Sequence, residues 1–294
     1  MHKIFSLNLI RSCYPNLSFG SKNFIKIEKK IQFIKKNSHE KKSYSFKEFG
    51  KIFFPFVSMG KISSTDLFCA NEFIIFFFYF LKKFDSKEVA DFGANLGLHT
   101  IIMAKCGFNV SAFEPDPKTF IKLKKNLKLN KLKNVKLYNK AIFSNNSNLN
   151  FTRVHNNLTG SHITSEKKSY GPTSVFKVEA IAARDIVSKF DLIKIDIESA
   201  EAKVITSLKK DNFLKTDIIL EIANKRNAIK IYNFLTKKKL KFYSQKNCFN
   251  PVSNFNDMPT CHNEGMLFIS QSNFLKNIKL RLKRKLYTKK FQKH

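Results

Sequence analysis

The chain has 294 residues, enough for one large α/β domain with extensions. It carries 54 Lys and Arg against 22 Asp and Glu, a formal net charge of +32, yet only six of the cations are Arg, the residue best suited to base edges and bidentate phosphate contacts. Five scattered cysteines without a C-x-x-C pair argue against a disulfide framework or zinc finger, and the longest apolar run, Phe73 to Leu81, falls short of the roughly 20 residues that span a bilayer.

Residues 1–60 read as a basic N-terminal extension, rich in Lys and Phe, with one or two short helices or strands that help to cover the active site. No targeting segment stands out, and the expected location is the cytoplasm. Phe73 to Leu81 predicts a buried helix. From there strands and helices alternate. Glu88–Phe92 is strand one, followed by a helix over Gly97–Cys106. Asn109–Glu114 is strand two, and Pro117 opens a helix whose Phe120, Leu123 and Leu127 recur at helical spacing. Val135–Asn139 is strand three, leading into Ala141-Ile142-Phe143. Asn145 to Ser174 is polar and reads as a long functional loop. Val175–Val187 is a strand and a helical turn. Leu192–Asp196, Asp217–Glu221 and Leu240–Tyr243 are strands four to six, separated by helices over Glu201–Lys210 and Ala228–Lys238, and Gly265–Ile269 closes the sheet. Such alternation means a parallel sheet covered on both faces, with the site at the C-terminal strand ends.

The loop Asp91-Phe92-Gly93-Ala94-Asn95-Leu96-Gly97 joins strand one to a helix, and Glu114 lies 23 residues beyond Asp91. A dinucleotide loop uses three glycines to approach a pyrophosphate; this one has two. The Asp91 carboxylate would repel a pyrophosphate and attract a cation. S-adenosylmethionine has an ammonium, a sulfonium and a ribose, and no phosphate. Glu114 suits the ribose hydroxyls, Gly93 the tight turn and Gly97 close helix–strand packing. Read alone, the loop is equally a plain strand-to-helix turn; the acids around it favour the cofactor.

These residues carry a resemblance. Asp91 to Thr100 resembles the first motif of the FkbM family of S-adenosylmethionine-dependent methyltransferases. Ala112-Phe113-Glu114-Pro115-Asp116-Pro117 resembles the second. Asp191 to Glu201 resembles the third, a K-I-D-x-E-G-x-E pattern, with Ser199 where the family usually has Gly. The similarity covers about residues 65–270. It implies a Rossmann-like class I methyltransferase fold over 61–270: a seven-stranded, mostly parallel sheet with the last strand antiparallel and helices on both faces. The implied cofactor residues are Asp91, Gly93, Asn95, Gly97, Glu114 and Ala141.

Asp196, Glu198 and Glu201 form the candidate catalytic trio. One could be the general base, or the cluster could hold a divalent cation that acidifies a hydroxyl; Glu198 and Glu201 equally suit a helix N-terminus. His99, His155 and His162 are rival bases. The fourth strand ends in Asp196-Ile197-Glu198-Ser199 rather than the D/N-P-P-Y/F box common in adenine methyltransferases, and no Pro-Cys pair serves cytosine chemistry. The expectation is an O-methyltransferase for a saccharide or other small or lipid-linked hydroxyl. The alternatives are an RNA-modifying methyltransferase, favoured by the charge, and a non-catalytic protein tethered to an anionic surface. Residues 271–294 form a basic tail whose Leu275, Ile278, Leu282 and Leu286 make an apolar stripe, a candidate anchor to an anionic membrane surface at the inner face.

Overall fold

The computed structural model describes residues 4–36, 43–54, 68–155 and 157–272; the basic tail from residue 273 lies outside the described residues. The chain opens with helices α1 (Asn8–Cys13) and α2 (Lys22–Lys36) and a hairpin of β1 (Ser43–Phe46) and β2 (Gly50–Phe53). The apolar run forms α3 (Ala70–Lys82), with ten of its thirteen residues buried. A helix apolar on every side must be covered on every side. The sheet covers one side. The N-terminal elements cover the other, through rings such as Phe5, 5.1 Å from Phe73, and Phe46, 5.4 Å from Phe73. Each buried aromatic stabilises this packing by roughly 1.5–3 kcal/mol.

The alternation follows: β3 (Glu88–Phe92), α4 (Leu98–Lys105), β4 (Asn109–Phe113), α5 (Pro117–Leu129) and β5 (Val135–Tyr138). Asp116 caps α5, accepting the Lys118 and Thr119 N–H groups, and Pro117 fills the first turn. Next come β6 (Ala141–Phe143), β7 (Ser147–Val154), β8 (His162–Ile163), β9 (Thr173–Ala182) and α6 (Ala183–Ile186). The chain closes with β10 (Leu192–Ile195), α7 (Glu201–Ser207), α8 (Asn212–Lys215), β11 (Asp217–Leu220), α9 (Lys225–Lys237), β12 (Phe242–Ser244), β13 (Asn250–Pro251) and β14 (Leu267–Ile269).

The large sheet runs β13-β12-β14-β11-β10-β3-β4-β5. Strands β5, β4, β3, β10 and β11 are parallel, and β14 is inserted antiparallel between β11 and β12. This is the expected seven-stranded sheet. The two-residue β13 adds an eighth strand at its edge, antiparallel to β12.

One segment differs from expectation. The polar stretch 145–174 is no long loop. It supplies β7 and β8, which join β9 and β6 in a second, four-stranded sheet ordered β6-β9-β7-β8. β7 and β9 pair antiparallel over eight residues, from Ser147 opposite Ala180 to Val154 opposite Thr173. A small core of Phe143, Phe151, Ile163, Val178 and Ala180 backs it. Only one face is apolar, and Asn148, Asn150, Lys177 and Glu179 lie on the other, so hydropathy alone reads as loop.

Candidate active site

The C-terminal ends of β3, β4, β10 and β11 open into a cleft of about 880 Å³, roofed by residues of the second sheet. Gly93 and Gly97 make the cofactor loop possible. Both have left-handed backbones, φ +81° and +91°. A Cβ on Gly93 would lie 1.9 Å from the Asp196 carbonyl oxygen, so only glycine lets the ends of β3 and β10 come this close. A Cβ on Gly97 would lie 2.4 Å from Leu123 Cδ1, so the close approach is to helix α5 rather than the helix–strand packing expected of it. The loop is pinned to β4 by the Gly93 and Ala94 N–H groups, which donate to the Phe113 carbonyl at 3.1 and 2.9 Å.

Glu114 faces the cleft at the end of β4. Its Oε2 accepts the Asn95 N–H at 2.8 Å and its Oε1 the Asp116 N–H at 2.9 Å. Burial pushes its pKa up to about 8; these two N–H groups oppose the rise, while Asp116 and Asp91 add to it. Each oxygen keeps a lone pair for a further donor. Asn95 holds a left-handed backbone, φ 49°, and its buried Oδ1 has no hydrogen-bond partner. Asp91 is fully buried behind the loop. Oδ2 accepts from Thr100 Oγ1 at 2.6 Å, while Oδ1 makes no hydrogen bond and lies 3.8 Å from the Lys194 ammonium.

Lys194, on β10, is buried and donates to Asp196 Oδ2 at 3.0 Å. Burial works against its charge, but Asp196, Asp91 and Glu72 outweigh that and hold it above the usual lysine range. Beyond β10 the chain turns through Glu198 and Ser199, both left-handed at φ 52° and 85°. Ser199 thus adopts the conformation that a glycine takes without strain.

Glu201 builds this turn. Its Oε1 accepts the Ser199 and Ile197 N–H groups at 3.0 and 3.3 Å, and its Oε2 accepts from Asn227 Nδ2 at 3.1 Å. It does not line the cleft. Glu198 does, with Oε2 2.6 Å from the Lys167 ammonium. Burial and then the Asp196 charge push Glu198 up to about 7, against the pull of Lys167. Glu221, at the end of β11, also lines the cleft and is driven well above the carboxylate range by burial, Asp196 and Glu198.

Of the expected residues, Gly93, Asn95, Glu114, Ala141, Asp196 and Glu198 therefore meet at the cleft, while Asp91, Gly97 and Glu201 support it from behind. The divalent-cation expectation finds no ligand set: Asp196 and Glu198 are paired with lysines, Glu201 is bound to backbone and Asn227, and no group of three potential ligands occurs among the described residues. Among the histidines, His155 is exposed and His162 is buried, donating from Nδ1 to the Gly160 carbonyl at 2.7 Å. His99 lines the cleft between the Tyr79 hydroxyl, 3.0 Å from Nδ1, and Glu72, 2.6 Å from Nε2. Sequence reasoning did not assign Glu72, Lys167 or Lys194 to the site. Lys194 lay inside the third motif and could have been found there.

Six carboxylates line the cleft: Glu72, Glu114, Asp116, Asp196, Glu198 and Glu221, against lysines 140, 167, 168 and 194. In a chain with 54 basic and 22 acidic residues, that inverts the overall balance. No described helix is long and apolar enough to cross a membrane.

Residues 91–242 match the family model described as the methyltransferase FkbM domain. No curated protein matches the chain. Among solved structures it is similar to a precorrin-6y methyltransferase from Geobacter metallireducens, at 14% identity over 66% of this chain and 85% of the other, TM-score 0.35. It is also similar to an O-methyltransferase from Bacillus cereus in complex with SAH, at 11% identity over 66% and 78%, TM-score 0.36.

Proposed function

Because the chain belongs to the FkbM methyltransferase family, and so is an S-adenosylmethionine-dependent methyltransferase, we propose that it methylates a hydroxyl of a saccharide or other small or lipid-linked acceptor. The observation that supports this reading is the acidic cleft. Its carboxylates suit a cationic cofactor, whose arrival favours ionisation of Glu114, Glu198 and Glu221, which burial holds partly or wholly protonated.

The residues present fit the cofactor. Glu114 would take the ribose hydroxyls with its two remaining lone pairs. Asn95 offers an unpartnered buried carbonyl oxygen beside it. Ala141 and Ile142 would supply an apolar wall for the adenine, and Glu72 and Asp196 would serve the positively charged part. S-adenosylmethionine supplies an electrophilic methyl on a sulfonium. The protein must align a hydroxyl with it and remove the hydroxyl proton. Glu198 is suited to that proton: a base works best with a pKa near the operating pH, and burial holds Glu198 at about 7. Lys194 fixes the Asp196 carboxylate, and Lys167 orients Glu198. Glu201 holds the turn that presents both.

The net charge of +32 favours a second reading, an RNA acceptor docked outside the cleft. Mass spectrometry of glycans and lipids from cells with and without the gene separates the two. A hydroxylated species should lose one methyl when the gene is absent. Methylation found only in RNA would overturn the saccharide reading. Glu198→Gln should abolish turnover while leaving cofactor affinity intact.

A further inference from the structure

Helix α2 turns different faces to different surroundings. Phe24, Ile27, Ile31 and Ile34 are buried against the body. Lys22, Ile25, Lys26 and Lys29 recur at three- and four-residue spacing on the opposite side, and all are exposed, with Lys30 beside them. Ile25 is 45% exposed. Phe19, just ahead of the helix, is 48% exposed, its ring 5.0 Å from Phe24. The helix has one acid, Glu28, and it is drawn off this face: Oε2 accepts the Ala70 N–H at 2.7 Å, and Oε1 accepts from Gln32 at 2.5 Å. The outward face therefore carries only positive charge, with an aliphatic side chain set among the lysines.

We propose that this face of α2 docks the protein on an anionic lipid bilayer. Ammonium groups draw in toward headgroup phosphates, and Ile25 and Phe19 can enter the interfacial layer. An RNA backbone would match the charge but gain little from an exposed aliphatic group, and α2 contains no Arg to grip phosphate in a fork. The position adds to the argument. The Glu28–Ala70 bond ties α2 to the start of α3, where Cys69, Asn71 and Glu72 line the cleft. The docked helix thus packs on an element that begins at the cleft, and the cleft can serve an acceptor held in the membrane; this last step rests on the acceptor proposed above.

Co-sedimentation of the full chain with phosphatidylcholine vesicles containing about one-third phosphatidylglycerol tests the surface whether or not any acceptor is methylated. The wild type should bind these and not pure phosphatidylcholine. Combined Lys22→Glu, Lys26→Glu and Lys29→Glu should lower the bound fraction at least about tenfold, and the milder Lys→Gln set should lower it less. Ile25→Ser should weaken binding even at salt that screens the charges. Cofactor affinity and thermal unfolding should not change in any of them, which separates lost docking from a lost fold or a failed enzyme. The proposal is overturned by a wild type that ignores anionic vesicles. It is equally overturned by charge variants that bind like wild type, or by variants that lose only affinity for a single-stranded RNA homopolymer.

Discussion

Replacing Glu114 with Gln should uncouple cofactor binding from proton release. In the free protein Glu114 has a pKa of about 8, so near pH 7 about nine molecules in ten carry its proton. A bound cation and ribose hydroxyls favour the ionised form. Binding near pH 7 must then expel that proton, at a cost of about 1.4 kcal/mol for the one unit below the pKa, or about tenfold in affinity. Affinity should therefore rise about tenfold per pH unit on approaching pH 8 from below, until the cofactor's own amino group begins to titrate. Calorimetry in two buffers of different ionisation heat reads the proton directly. The wild type should release close to one proton per cofactor near pH 7. Glu114→Gln should release almost none through this group. It should also bind about 10- to 150-fold more weakly, the loss expected when a hydrogen bond to a charged group worth about 1.5–3 kcal/mol is removed. Its amide can accept only one of the Asn95 and Asp116 N–H groups, so denaturant unfolding must confirm that the variant is folded. Equal proton release in the two proteins would refute the assignment of Glu114 to the cofactor.

Turnover at saturating cofactor should rise with pH through about 7 as Glu198 ionises, and a flat profile across that range would remove Glu198 as the base. Glu114, Glu198 and Glu201, at about 8, 7 and 7, bind protons more tightly folded than unfolded, so cofactor-free stability is fully present below the ordinary carboxylate range and is lost as pH rises through 7 to 8; urea midpoints rising over that interval would contradict this. Ser199→Gly should stabilise the chain by up to about 1 kcal/mol, because it relieves a left-handed serine at some cost in unfolded-state entropy, and a fall in melting temperature would show that the hydroxyl matters more than the backbone. Arg153 clamps buried Asp116 through Nε at 2.6 Å and Nη2 at 2.5 Å, with its guanidinium 4.6 Å from the Phe176 ring. Arg153→Ala should cost about 3–5 kcal/mol in chemical denaturation, because it leaves a buried carboxylate unpaired; a loss under about 1 kcal/mol would mean that Asp116 is neutral or re-solvated.

The parts of the fold that could be read from sequence are those in which one local rule decides. The βαβ loop is legible because positive φ demands glycine at Gly93 and Gly97, and because a carboxylate at a strand's C-terminal end has few purely structural uses. The helix α3 is legible as buried because it is apolar all round. That same fact implied a second cover, but the residues that provide it, Phe5, Phe46 and their neighbours, lie far back in the chain and show no period. The second sheet was hidden for a related reason. Its strands meet across as many as 39 residues, Ala141 with Ala180, and its outer face, with Asn148, Asn150, Lys177 and Glu179, looks like loop.

The site divides in the same way. Asp196, Glu198 and Glu201 stand together in sequence, and nothing in their spacing says which of them turns back to the main chain. That depends on the turn after β10: once Glu198 and Ser199 adopt left-handed backbones, the Ile197 and Ser199 N–H groups point at Glu201 and occupy it. Glu198 is left facing the cleft, where it meets Lys167, 31 residues earlier. Net charge misleads for the opposite reason, since it averages over the whole surface. Lysines can be spread anywhere that water reaches. Carboxylates at the ends of β4, β10 and β11 cannot avoid one another, because parallel strands deliver their C-termini to one edge. A strongly basic chain thus gathers carboxylates in one cleft through its topology.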